Sequence, residues 1–397
     1  GGAGGEERGA GGGQERKRRR ERGDDGGWKR ESERGRESTP TGMVRSVRLD
    51  SEECRLRRFV SGAALRRERR HSWLDHKRHS HDPDDEHAAA ILLWPHASQG
   101  ERVALLAVTL FDYVRHGRHQ ELVSRASGFP LTNTALDALR SLRTMLAQSE
   151  PPPIEHVQRA ALIPVIVELL APPPMAHTEG ELVRLLRALN TEAACCLANI
   201  AAGTSVQCRS LVENGALPPL LLLLDPSNSN REAQQQAVWC LSNIAADCAS
   251  LRKILLDCGT VHRLMALAAS LLPPGGARYL TRGSSALISL RNITWALANL
   301  LKGPPPARDQ TNLALVQLAD LVTVDDPELG ETAATALARM IEDEPELSEP
   351  MIETGCMNGL LHALEFGTGS VQHQALSALS GMLVLSLIHI SEPTRRT

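Results

Sequence analysis

A twelve-residue pattern recurs along this chain and constrains its fold more than any other feature. The three strong copies place Ala, Leu and Ile at helical spacing around one Asn, and they are Glu192–Gly203, Gln236–Asp247 and Asn292–Gly303. Weaker copies follow at Thr332–Ile341 and Gln374–Val384. The spacings between equivalent residues are 44, 56, 40 and 42, measured at Cys195, Trp239, Trp295, Thr335 and Ser377. A repeat of this length predicts stacked helical units that bury their apolar faces against one another.

The composition and the connections between copies favour helices throughout. Aromatic residues make up only 3% of the chain, which is too few for a typical β-sandwich or barrel, whereas Leu and Ala are abundant. Apolar helices entered through Gly follow at Gly215, Gly259 and Gly355. A period of about 42 residues with about three helices per unit is typical of armadillo repeats. We therefore expect an all-α, right-handed superhelical solenoid whose third helices line a long concave surface.

Two copies of the pattern carry a Trp and an Asn four residues apart, on one face of a helix. Trp239 with Asn243 and Trp295 with Asn299 would form an exposed row in which the amides pair with a peptide backbone and a Lys or Arg stem packs between the indoles. Asp247 at the helix end would hold the ammonium. A single such pair would equally be a core Trp and a satisfied Asn. The matched copies favour a binding row.

The elements Gln236–Asp247 and Arg291–Leu300 resemble the armadillo repeats of the importin α (karyopherin α) family, and Pro152–Pro164 resembles its first repeat. The resemblance implies a nuclear import adaptor that binds Lys/Arg-rich nuclear localisation signals in its groove and shuttles between cytoplasm and nucleus. It implies no enzymatic activity and no cofactor. It places peptide binding at Asn199, Gly203, Gln236, Trp239, Asn243, Asp247, Asn292, Trp295 and Asn299.

Several positions depart from the pattern of that family. Cys195 stands where the second repeat has a Trp, and Cys208 replaces a Thr of the same pocket. In the later repeats, Thr335, Arg339 and Gly381 replace binding residues. These departures favour an alternative, which is a divergent armadillo scaffold of the transmembrane-and-coiled-coil-domain type, without cargo-adaptor function.

Residues 43–87 are a basic arm, which we expect to be disordered until it folds on an acidic partner. A solvated charge run and a nucleic-acid tail are the alternatives. The arm resembles the importin-β-binding domain of the same family, which implies contact with importin β, and with an exportin and nucleoporins as further partners of the chain. The residues that carry this resemblance are Arg55, Arg57, Arg58, Leu65, Arg66, Arg67, Arg69, Arg70, Leu74, Lys77 and Arg78.

The remaining segments complete the predicted organisation. Residues 1–42 read as a disordered or non-native leader, and residues 132–384 as about five to six repeats. Residues 88–131 are a linker, an insertion, a retained non-coding segment or a first helical pair. Residues 385–397 resemble a translated sequencing adaptor, so we expect the native sequence to stop near Val384.

Charge and residue spacing exclude several other classes of protein. Residues 1–80 carry 22 basic and 14 acidic residues, whereas the remainder carries 22 basic and 33 acidic, so the body would repel nucleic acid. Apolar runs fall far short of the roughly 20 residues of a membrane span. The eight cysteines are scattered, which predicts buried, reduced thiols and no metal site. The body contains no Gly-rich phosphate loop and no Ser/His/Asp spacing of an enzyme.

Overall fold

The computed structural model describes residues 97–117, 130–149, 151–171, 180–273, 280 and 283–391, with side chains up to residue 383. The predicted leader (1–42), the basic arm (43–87) with all its proposed importin-β contacts, and residues 392–397 lie outside these ranges.

The described ranges are helical and contain no strand. The helices are α1 Gln99–Asp112, α2 Pro130–Gln148, α3 Ile154–Arg159, α4 Leu162–Glu168, α5 Glu181–Ala201, α6 Ser205–Glu213, α7 Leu217–Leu223, α8 Arg231–Asp247, α9 Ala249–Asp257, α10 Thr260–Leu271, α11 Ser285–Leu300, α12 Arg308–Val322, α13 Pro327–Asp343, α14 Ser348–Glu353, α15 Cys356–Phe366 and α16 Gly369–Ser391. A π-helical turn, Tyr113–Gly117, continues α1, and a 3-10 turn, Pro345–Leu347, precedes α14.

These helices form five successive units. Unit 1 is α3–α5, unit 2 is α6–α8, unit 3 is α9–α11, unit 4 is α12–α13, and unit 5 is α14–α16. The last helices of the units pack in sequence, from α5 through α8, α11 and α13 to α16, with α2 packed on α5 before them. The molecule is an all-α armadillo solenoid, and the expected fold is confirmed. Helices α1 and α2 pack together as a helical pair ahead of unit 1. Helix α1 lies within residues 88–131, for which a first helical pair is one of the alternatives.

The repeated register accounts for the stacking. The Leu two residues after each Trp-equivalent position is almost fully buried in four units, as Leu197, Leu241, Leu297 and Leu337. A Leu at the same point in these four units is therefore removed from water, as expected where successive helices stack.

The turns from first to second helices depend on a left-handed residue. Gly215, Gly259 and Gly355 have φ of 75°, 72° and 77° in units 2, 3 and 5, and Ala161 takes the equivalent place in unit 1 at φ 50°. Glycine adopts this conformation without a Cβ clash. The predicted entry of the second helices through glycine is confirmed in these three units.

Unit 4 contains two helices, so the expectation of about three helices per unit is wrong there. Residues 301–307 join α11 directly to α12 and include Pro304, Pro305 and Pro306. Three consecutive prolines remove the amide donors that a first helix would need. Asp326 links this unit to unit 3, because it caps α13 at the Leu329 amide and accepts hydrogen bonds from Arg291 of α11.

Among the described residues no single helix has the length and apolarity to cross a membrane, although α9 and α10, bent by 68°, meet that criterion as a pair.

Candidate peptide-binding groove

The two tryptophans of the predicted row contact each other across neighbouring third helices. The ring centroids of Trp239 on α8 and Trp295 on α11 are 5.1 Å apart, with the planes tilted by 35°. Trp295 is buried at 8% exposure and Trp239 is half-buried. The expected slot for a Lys stem between two exposed indoles is wrong for this structure, because packed aromatic rings gain energy at this separation and fill the space themselves.

The asparagines of the row tie the third helices together. Asn243 donates from Nδ2 to the Ala198 carbonyl at 3.2 Å, and Asn299 donates from Nδ2 to Ser242 Oγ at 3.1 Å. In each case the acceptor residue lies one position before the equivalent Asn of the preceding unit. These side chains and Asn199 are buried, at 1%, 3% and 8% exposure respectively. The expectation of an exposed Asn row is therefore wrong, since the helices approach closely enough for the amides to bridge them.

The two amides differ at their carbonyl oxygens. Asn299 Oδ1 accepts a hydrogen bond from Lys302 Nζ at 2.6 Å, whereas Asn243 Oδ1 is buried without a partner. Buried carbonyl oxygens are rarely left unpaired, because losing water without gaining a hydrogen bond is unfavourable. Asn243 therefore presents an unused acceptor. Sequence reasoning missed the difference, although Lys302 lies three residues after Asn299 at the helix end, where such a contact is possible.

Asp247 combines a used and an unused oxygen. Its Oδ1 accepts from Ser205 Oγ at 2.9 Å, at the first residue of α6, while Oδ2 is buried without a partner. Asp343, the equivalent residue of unit 4, reaches back in the same way and accepts from the Gly303 amide at 2.9 Å. The carboxylate predicted to hold a ligand ammonium therefore also ties the end of α8 to the start of α6 within unit 2.

Gly203 and Gly303 occupy the positions equivalent to Asp247 in units 1 and 3. A Cβ on Gly203 would lie 2.0 Å from Gln207 Oε1 and 3.0 Å from the Ile200 carbonyl, so a larger residue would displace the Gln207 side chain from its hydrogen bond with the Thr204 amide. Gly203 thus leaves space for the Gln207 side chain that caps the start of α6.

A cation that the sequence did not single out lies beside these carboxylates. Arg252 on α9 donates from Nη1 to the Ala245 carbonyl at 2.7 Å. Burial lowers the pKa of Arg252, and the charges of Asp343 and Asp247 act in the opposite direction. The negative charge of Asp247 is therefore partly compensated by the positive charge of Arg252.

Two further predicted positions, Gln236 on α8 and Asn292 on α11, lie one turn before the tryptophans. Gln236 is buried and Asn292 is half-buried. Glu192, the equivalent of Gln236 in unit 1, pairs with Arg143 of α2 at 2.6 Å. That ion pair neutralises the acidic side chain at the first end of the groove.

Five of the seven cysteines in the described residues are buried, as expected, whereas Cys248 is half-buried and the expectation of a buried thiol is wrong for Cys258, which is exposed. Cys195, which replaces a Trp, is buried, and Cys208 donates to the Ala201 carbonyl at 3.0 Å. Burial raises the pKa of the Cys196 and Cys240 thiols. Among the described residues no group of three or more His, Cys, Asp or Glu side chains is placed to hold a metal ion.

Comparison with known proteins agrees with the architecture. The Armadillo/beta-catenin-like repeat family matches residues 204–246, which correspond closely to unit 2. The chain is 33% identical over 221 residues to importin subunit alpha-6 of Arabidopsis thaliana, covering 55% of this chain and 36% of that protein. It is 29% identical over 249 residues to importin subunit alpha-1b of Oryza sativa, covering 62% and 42%. The chain thus spans about two fifths of these relatives. The resemblance to the importin α family is confirmed over the repeats.

Solved structures show the same fold. A designed armadillo repeat protein in complex with the peptide (KR)4 aligns with 70% of this chain and 99% of its own length, at a TM-score of 0.52 and 24% identity. A second designed armadillo protein gives the same TM-score and coverage at 23% identity. The matched family and these relatives are repeat proteins, and none is named as an enzyme.

Proposed function

We propose, on the premise that these are armadillo repeats of the importin α kind, that the chain is a nuclear import adaptor that binds Lys/Arg-rich signal peptides at the Trp239–Trp295 pair. One observation carries the proposal. Asn243 Oδ1 and Asp247 Oδ2, one helical turn apart on α8, are both buried acceptors without a partner. A ligand that brings an ammonium or guanidinium group would satisfy both and would gain charge-assisted hydrogen bonds.

The surroundings of the two acceptors suit a basic side chain. Trp239 precedes Asn243 by one turn and is the more accessible indole of the pair, so it would cover the aliphatic stem of a bound Lys or Arg. Because both acceptors are buried, binding requires the indole to move aside. The designed armadillo protein that binds (KR)4 has the same fold, which supports a basic peptide as the ligand class.

The partners outside the groove rest on the sequence of the arm. We propose that residues 43–87 bind importin β, with an exportin and nucleoporins as transient partners and with the protein moving between cytoplasm and nucleus. The nine Lys and Arg residues between Arg55 and Arg78 support this proposal.

A second function is favoured by a specific observation. The indoles are in contact, and the Asn amides are used between helices, as expected of an armadillo scaffold that binds no basic peptide. The two functions differ in whether the unpaired acceptors of α8 bind a cation.

The test is fluorescence-polarisation titration of a short Lys-rich peptide with the full chain and its Asp247→Asn variant. Asn at this position keeps an acceptor for Ser205 and a similar volume, but it removes the negative charge. The loss of one charged hydrogen bond, about 1.5–3 kcal/mol, predicts a fall in affinity of roughly 10- to 150-fold. Glu213→Gln is the matched control, because Glu213 is exposed at the far end of α6 and loses the same charge.

An adaptor binds the peptide, loses affinity in Asp247→Asn and keeps it in Glu213→Gln. Equal weakening in both variants would indicate a diffuse charge effect. No binding by the unchanged chain would leave the scaffold function.

A further inference from the structure

Lys302 distinguishes unit 3 from its neighbours. The equivalent residue is Ala202 in unit 1, Ala246 in unit 2 and Glu342 in unit 4, so among these four units only unit 3 places a cation there. Lys302 is half-buried, and its ammonium lies 2.6 Å from Asn299 Oδ1.

The consequence is visible in the hydrogen bonding of the two asparagines. Asn243, which has Ala246 after it, keeps a buried carbonyl oxygen without a partner, whereas Asn299 has its oxygen satisfied by the chain's own lysine. We name Asn243 with Asp247 the Asn243 subsite, and Asn299 with Lys302 the Asn299 subsite.

We propose that Lys302 fills the Asn299 subsite from within and sets the charge pattern of the peptides that bind. This inference rests on the proposed function and deepens it. A basic peptide residue fits the Asn243 subsite, but at the Asn299 subsite it meets an acceptor already in use and a like charge. A neutral residue fits there without repulsion, and an acidic one gains attraction from the ammonium.

The geometry also fixes the spacing of the two peptide residues. Packed helices lie about 8–10 Å apart, and an extended peptide advances about 3.3 Å per residue. The residue at the Asn299 subsite is therefore two or three positions from the residue at the Asn243 subsite. The selected peptides carry a basic residue and, two or three positions away, a residue without positive charge.

The test is a positional scan with the full chain. A short Lys-rich peptide is prepared with each Lys replaced singly by Ala and by Glu, and its affinities are measured for the unchanged chain, Asp247→Asn, Lys302→Met and Lys253→Met. Methionine keeps most of the apolar stem of Lys302 and removes the ammonium. Lys253 is an exposed lysine on α9, which makes it the matched control. Thermal unfolding of each variant checks that the fold is retained.

At one peptide position, replacement by Ala should weaken binding to the unchanged chain but not to Asp247→Asn. The Lys at that position occupies the Asn243 subsite. Two or three residues away, a Glu replacement is expected to raise affinity about two- to fivefold in the unchanged chain, as for an exposed ion pair. In Lys302→Met the same replacement is expected to lower affinity, whereas Lys253→Met leaves the pattern unchanged.

If Lys302→Met bound every peptide of the scan more tightly by the same factor, the inference would be overturned. A diffuse charge effect acts equally at all peptide positions. A scan in which no position prefers Glu, with the Asp247 dependence intact, would remove this inference and leave the proposed function standing. Failure of every chain to bind the parent peptide would remove both.

Discussion

The paired asparagines allow a comparison of stability within one chain. Asn243 and Asn299 occupy equivalent positions on α8 and α11, and both are buried, at 1% and 3% exposure. Replacing each by Ala creates a similar small cavity and a similar gain in helix propensity, so these contributions cancel in the difference between the two variants. What remains is the hydrogen bonding of each amide.

The expected costs are unequal. Asn299→Ala removes the bond to Ser242, about 1 kcal/mol, and the bond from the Lys302 ammonium, about 1.5–3 kcal/mol. Asn243→Ala removes one bond to Ala198, about 1 kcal/mol, but it also removes a buried oxygen whose lack of a partner costs about 1–3 kcal/mol. From hydrogen bonding alone, we expect Asn299→Ala to be less stable than Asn243→Ala by about 2.5–6 kcal/mol, and Asn243→Ala to be at least as stable as the unchanged chain.

The assay is guanidinium unfolding of the full chain followed by circular dichroism, together with the peptide titration. A residue retained at the expense of stability is typical of a binding site. Asn243→Ala should therefore keep the stability and lose the peptide. Equal unfolding free energies for the two variants would refute the reasoning, because they would mean that neither the Lys302 bond to Asn299 nor the unpaired oxygen of Asn243 affects stability.

Two further predictions concern the frame of the groove. Asp326→Ala should destabilise the chain by about 2–3 kcal/mol, because it removes the cap of α13 and the partner of Arg291. Hydrogen exchange of the backbone amides should become faster in the first turn of α13. Unchanged exchange there would contradict the capping role. Alkylation with iodoacetamide under native conditions should modify exposed Cys258 and spare Cys240, whose pKa burial raises so that it holds less reactive thiolate; equal rates by mass spectrometry would contradict this.

The repeated pattern predicted the fold because it specifies burial. An apolar residue at one register, such as Leu241, has to meet its equivalents in neighbouring units, and a glycine at Gly259 has to turn the chain in the left-handed region. The missing first helix of unit 4 escaped prediction since the spacing of 40 residues around Pro304–Pro306 stays close to the period.

The site was predicted less completely than the fold. Helical spacing indicated that Trp239 and Asn243 share a face. It did not give the distance to the neighbouring helix, and that distance decides that the indoles touch and that Asn243 reaches Ala198. The contact of Lys302 with Asn299 and the position of Arg252 depend in the same way on how the helix ends pack, which one sequence does not specify.

The measurement that tests the central claim most directly is fluorine NMR of the full chain labelled with 5-fluorotryptophan. The chain has five tryptophans, and Trp239→Phe and Trp295→Phe identify the two signals of the stacked pair. On titration with a short Lys-rich peptide, both signals should shift with one common dissociation constant, because the Trp239 indole moves aside and its contact with Trp295 changes. Saturable binding that leaves both signals unmoved would contradict a groove at this pair.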